Sequence, residues 1–167
     1  MSGIRLEGSC HCGNLRFVLE SRSAPARLPV RACACTFCRR HGARTVTDPR
    51  GRVRFAVADE RLLGRYRFGL RTADFLVCRR CGVYVGALMT AGARRFATVN
   101  IASIVPPPYA LGEPATVSYG DETASERRAR RAARWTPVAA FASGVQTGTA
   151  ASADQSTRGT SACPRRE

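Results

Sequence analysis

Seven of the chain's eight cysteines fall in three tight groups, "CHCG" (10–13), "CACTFC" (33–38) and "CRRCG" (78–82), and no other feature constrains the fold as much. At 167 residues the chain can bury a core without staples, so these thiols need a chemical reason. The N-terminus has no charged start followed by an apolar run. No stretch approaches the roughly 18 apolar residues of a membrane span. The expectation is a soluble, cytoplasmic protein. In a reducing compartment closely spaced thiols hold metal more often than they form disulfides, and neighbours such as Cys10 and Cys12 are poorly placed to bridge each other.

Glycines sort the groups. A knuckle that turns two sulfurs and nearby backbone N–H groups toward one metal often needs positive φ just after its second cysteine, which glycine adopts at little cost. Gly13 follows Cys12 and Gly82 follows Cys81, whereas Arg39 follows Cys38. Cys10, Cys12, Cys78 and Cys81 therefore pair as a closed, structural Zn²⁺ site. Cys33, Cys35 and Cys38 remain as a three-thiolate site with one open position, the arrangement of a catalytic zinc. Two other partitions stay open at this level. Cys35/Cys38 with Cys78/Cys81 would make an ordinary zinc ribbon, and His41, three residues beyond Cys38, would close the trio as a Cys₃His site. His11 is expected to point away from its neighbours' metal.

Between Gly and Pro punctuation lie short β-branched and aromatic runs: "LRFVLE" (15–20), "VRFAV" (53–57), "DFLVC" (74–78), "VYVGALM" (83–89) and "FATVNIAS" (96–103). They predict a mainly β domain of short, mostly antiparallel strands over residues 1–141. "VPPPY" (105–109) reads as an extended connection. One helix is expected in "TASERRARRAARW", with Thr123 as N-cap, Glu126 as its capping-box partner and Pro137 as its stop. From Ala142 to Glu167 small polar residues dominate, and this stretch reads as a disordered tail in which Cys163 is a bystander.

The formal charge is +15, from 27 basic and 12 acidic residues, and every basic residue is arginine. That favours anionic ligands, because the guanidinium fork matches carboxylate and phosphate. Arg31, Arg39, Arg40 and Arg44 are near the trio in sequence and are candidates to balance its charge or clamp a substrate carboxylate. Arg127, Arg130, Arg131 and Arg134 share one helix face, read here as solvated. The rival reading is a zinc-knuckle module binding nucleic acid or another polyanion, although at 7% aromatic the chain lacks a stacking platform beyond Trp135. A third is a structural protein in which both zincs only hold the fold.

"GSCHCGNLRF", "CACTFCRRHGA", "FLVCRRCGVYVG", "VNIASI" and the closing "RWTP" resemble, in order and spacing, the glutathione-dependent formaldehyde-activating enzyme family, which includes centromere protein V. The match runs from about Gly3 to about Val138. The resemblance implies a β-tent fold related to a guanine-nucleotide-releasing chaperone, a structural zinc on the first and third groups and a catalytic zinc on the middle trio. It also implies a carbon–sulfur lyase chemistry, the condensation of glutathione with formaldehyde to S-hydroxymethylglutathione. The small-molecule partners are then a thiol such as glutathione and an aldehyde.

Overall fold

Alternating burial builds this fold, and a computed structural model describes residues 3–106 and 111–144 of it. In chain order the elements are β1 (Ile4–Ser9), β2 (Leu15–Ser21), β3 (Val30–Cys33), α1 (Thr36–Arg40), β4 (Arg44–Val46), β5 (Arg52–Val57), β6 (Leu63–Tyr66), β7 (Asp74–Cys78), β8 (Tyr84–Ala91), β9 (Arg94–Asn100), β10 (Ala115–Val117), α2 (Ala124–Arg134) and β11 (Thr136–Ser143). The domain is mainly β, as expected, with its longer helix near the C-terminus. Among the described residues no helix is long and apolar enough to cross a membrane.

All strands join one sheet, in the order β1-β2-β5-β11-β9-β4-β3-β10, with β8, β7 and β6 branching from β9. The branch exists because one edge of β9 serves β8 along most of its length, while its other edge pairs first with β11 at Phe96 and Ala97, then with β4 at Val99 and Asn100. Most pairs are antiparallel. β11 on β5 and β10 on β3 are parallel.

Two cores result, divided by β8. Leu15, Phe17 and Leu19 of β2 and Val53, Phe55 and Val57 of β5 point into the first core, at period two. Along β8, Val85 and Leu88 enter that core while Tyr84, Ala87 and Met89 enter the second, beside Phe75, Phe96 and Trp135. A strand covered on both faces reads as a continuous apolar run, which is why "VYVGALM" shows no alternation. Gly86 lets β9 approach, because a Cβ there would sit 2.4 Å from the Thr98 carbonyl oxygen.

The C-terminal helix is capped as expected: the Thr123 amide donates to Glu126 Oε2 at 2.8 Å, and Thr123 Oγ1 accepts from the Glu126 amide at 3.3 Å. Pro137 does end the helical register, yet it also pairs with Phe96 as the second residue of β11. That strand corrects the expected domain end at 141, since Ala142 and Ser143 pair with Ala56 and Val57. The rest of the tail, from 145 with Cys163, lies outside the described residues, as does most of "VPPPY". The run at 96–103 is corrected too: β9 stops at Asn100, whose side chain accepts from the Ala102 amide and starts a 3₁₀ turn over Ile101–Ser103.

Candidate metal centres

The first cluster is made by two like turns. The one joining β1 to β2 closes with Cys10 N donating to Leu15 O at 2.9 Å, and the one joining β7 to β8 with Cys78 N donating to Val83 O at 3.0 Å. Gly13 and Gly82 take φ of 76° and 74° at the position that sequence spacing predicted. Those turns aim amides at sulfur. Leu15 N donates to Cys10 Sγ at 3.2 Å, the amides of Arg80 and Cys81 serve Cys78, and those of Cys12 and Val83 serve Cys81.

Cys10, Cys12, Cys78 and Cys81 bring their sulfurs within 4.8 Å of one another. A tetrahedron with Zn–S bonds of about 2.3 Å has edges of about 3.8 Å, and Cys12 Sγ lies 3.7 Å from Cys10 Sγ and 3.5 Å from Cys78 Sγ. The donor set fits zinc. Burial pushes the Cys10 thiol up to about 12 and raises Cys78 as well. Against burial, the amides of Cys12 and Val83 bring Cys81 down to about 6.

Cys33, Cys35 and Cys38 form the second group, also within 4.8 Å. The zinc-ribbon partition is thereby excluded, because Cys35 and Cys38 stand with Cys33 and apart from Cys78 and Cys81. Cys33 ends β3, Cys35 caps α1 by accepting from Cys38 N at 3.4 Å, and Cys38 sits buried within α1. His41 is not in the group. Its exposed ring lies on Phe37, with centroids 4.3 Å apart, and His11 is likewise exposed and outside the first cluster. A hydrogen bond from Cys38, with help from the Cys35 backbone and the Arg130 charge, brings Cys33 down to about 5, and the same bond holds Cys38 far above the thiol range. Three thiols brought this close together are a ready donor set for a thiophilic cation.

The trio lines a cavity of about 500 Å³. Its apolar wall includes Phe68, Phe75, Ala87 and Trp135, and Tyr84 stands behind the thiols, its phenol held neutral by burial and by the cysteine charges. The "VNIASI" stretch secures that strand: Asn100 Nδ2 and Ser103 Oγ both donate to the Tyr84 carbonyl, at 3.0 and 3.2 Å.

Facing the trio are Arg31, Arg127, Arg130 and Arg131. Two expectations are corrected here. Arg39, Arg40 and Arg44 are exposed and take no part in the cavity wall: α1 turns the first two outward, and Arg44 is the exposed first residue of β4. The helix arginines, read as solvated, are folded inward, since Arg127 and Arg130 side chains are only 17% and 16% exposed and Arg131 is buried. Only Arg134 of that face is exposed.

Glu122 holds two of them, accepting from Arg130 Nη2 at 2.8 Å and Arg127 Nε at 3.2 Å, and Arg130 also covers the Tyr119 ring. Arg131 donates from Nη1 to Thr72 Oγ1 at 2.7 Å and stacks 4.6 Å from the Trp135 ring centre. Its buried Nε has no partner among the described residues. Burial, then the like charges of Arg130 and Arg127, pull this guanidinium down to about 10. The sequence did carry one signal of this arrangement: α2 has no large apolar residue, so beside Ala132 its packing against the sheet falls to arginine stems.

No protein-family model matches the chain. A crystal structure of a Rhodobacter sphaeroides protein is similar at 33% sequence identity and a TM-score of 0.51, over 66% of this chain and 99% of that one. The chain belongs to the same family as that protein.

Proposed function

We propose that this protein is a zinc-dependent enzyme of the carbon–sulfur lyase type that adds a thiol to an aldehyde, with glutathione and formaldehyde as the pair its cysteine motifs resemble. The observation that carries this reading is the placement of an incomplete three-thiol donor set on the wall of an arginine-lined cavity, while the complete four-thiol set stands elsewhere. Zinc held by Cys33, Cys35 and Cys38 would supply Lewis acidity that lowers a substrate thiol's pKa.

The chain's own residues do the rest. The aromatic wall excludes water from the reacting pair, and the arginines hold the thiol substrate by its anionic groups. The thiol gives up its proton, its sulfur forms a bond to the aldehyde carbon, the carbonyl π pair moves to oxygen, and that oxygen takes up one proton, so the adduct holds all the atoms of both reactants. No electrons are gained or lost overall. The inward arginines also weigh against the nucleic-acid reading, because a duplex or strand cannot reach guanidiniums folded into a cavity of this size.

The test is zinc stoichiometry with zinc X-ray absorption before and after adding glutathione, alongside an NMR assay of S-hydroxymethylglutathione formation against the uncatalysed rate. Two zincs, one of which gains a sulfur, and a rate above background support the proposal. Coordination unmoved by thiol would refute it.

A further inference from the structure

Charge around the cavity is lopsided. Four guanidiniums line it, and no aspartate or glutamate does among the described residues. Glu122, just outside, is shared by Arg127 and Arg130. Arg31 donates to the neutral Thr47 and Arg131 to the neutral Thr72, and among the described residues no carboxylate lies within 4.0 Å of Arg131. One acid therefore stands against four cations. Three thiolates around a Zn²⁺ would offset part of this and still leave the wall cationic. A buried cation without a partner is costly, so this wall is built to be completed by an anion.

We infer that the cavity takes a thiol bearing a carboxylate and no ammonium group, with the carboxylate seated on Arg131 beside Trp135. This rests on the proposed thiol chemistry and narrows its substrate class. A thiolate and a carboxylate place negative charge at the zinc site and at Arg131, the guanidinium that no carboxylate pairs among the described residues. An ammonium group finds no acid in the wall and meets four like charges, so an amino-bearing thiol such as glutathione is accepted at a cost that its des-amino form avoids. The aromatic side of the wall matches an apolar body between the two anionic ends.

Trp135 supplies the readout, because it is the chain's single tryptophan and lies in the cavity wall against Arg131. Its fluorescence is titrated in the zinc-loaded full chain with two matched pairs of probes. One pair is 3-sulfanylpropanoate and 3-sulfanylpropanamide, and the other is glutathione and glutaryl-cysteinylglycine. The carboxylate is expected to bind about tenfold or more tightly than the amide, and the des-amino peptide about tenfold or more tightly than glutathione. Equal affinities within either pair overturn the inference. In Arg131→Gln the carboxylate-to-amide ratio is expected to fall toward one, and an unchanged ratio overturns the assignment to Arg131. Should that variant not fold, the wild-type pairs still decide the substrate class. X-ray absorption on the same samples separates the two failures. No sulfur gained with any probe overturns the thiol reading and this inference with it, whereas sulfur gained from all four at equal affinity overturns this inference alone.

Discussion

Serine substitutions at Cys81 and Cys35 separate the two clusters by their effect on folding. The first cluster links Cys12 to Cys78 across 66 positions of sequence, whereas the trio spans only Cys33 to Cys38. Treated as cross-links on the unfolded chain, loops of these lengths differ in closure entropy: the long one contributes about 4 kcal/mol and the short one about 2 kcal/mol. About 4 kcal/mol is a large share of the roughly 5–15 kcal/mol that holds a domain. A gap of about 2 kcal/mol corresponds to roughly 4–8 °C in Tm for a domain of this size. The assay is zinc content by mass spectrometry with thermal melts by circular dichroism, under reductant. Each variant is expected to lose about one zinc, with Cys35→Ser still folded and Cys81→Ser melting roughly 4–8 °C below it. Equal falls in Tm at equal zinc loss would refute the division into a scaffold cluster and a reactive one.

Three further outcomes follow from single features. At Gly82 an added Cβ meets nothing within 4 Å, so Gly82→Ala is expected to cost only the backbone strain of its φ of +74°, about 1–2 kcal/mol, read as zinc affinity at the first cluster weakened about 5–30-fold in chelator competition. Because the trio faces a cavity, a chromophoric chelator should release zinc in two phases, and the fast phase should be missing in Cys35→Ser; a single phase in the wild type would contradict the exposed site. Hydrogen bonds from Arg130, then Arg127, hold the Glu122 carboxyl below its ordinary 4.5. Its folded value is depressed, so its stabilisation is present above the ordinary value and is lost as pH falls through the lowered one. The Tm gap between wild type and Glu122→Gln should therefore close as pH is taken from neutral to about 3, and a constant gap would count against the ion pair.

The cysteine partition was legible because its cause is local. A knuckle needs positive φ two sulfurs in, and Gly13 and Gly82 mark where that happens. Strands with clean alternation or continuous apolar character, β2, β5, β7 and β8, were legible for the same reason. β3, β4 and β10, each of four residues or fewer, were not, since three or four residues carry no readable period and are strands only because a neighbour offers a ladder. β11 was hidden by alanines and by Pro137, whose pairing with Phe96 is a tertiary fact. The cavity was the largest omission. Proximity in sequence pointed to Arg31, Arg39, Arg40 and Arg44; Arg31 does line the cavity, but α1 carries Arg39 and Arg40 outward, and the other three cations that face the trio come from α2, about 90 residues later.

Placing the two clusters in separate cores has a chemical consequence. β8 divides the molecule so that Cys10 and Cys78 belong to the core of β2 and β5, whereas Cys38 belongs to the core of Tyr84, Phe75 and Trp135. A ligand entering the cavity meets only the second set. The four-thiol cluster is held by amides from its own turns, and β7 and β8 tie it to the core beside the trio, since they run from Cys78 and Val83 toward Phe75 and Tyr84. On the proposed reading, a thiol site that accepts and releases a substrate is kept apart from the cross-link that holds the domain folded. Two clusters on opposite faces of one strand allow the first to stay closed while the second stays open.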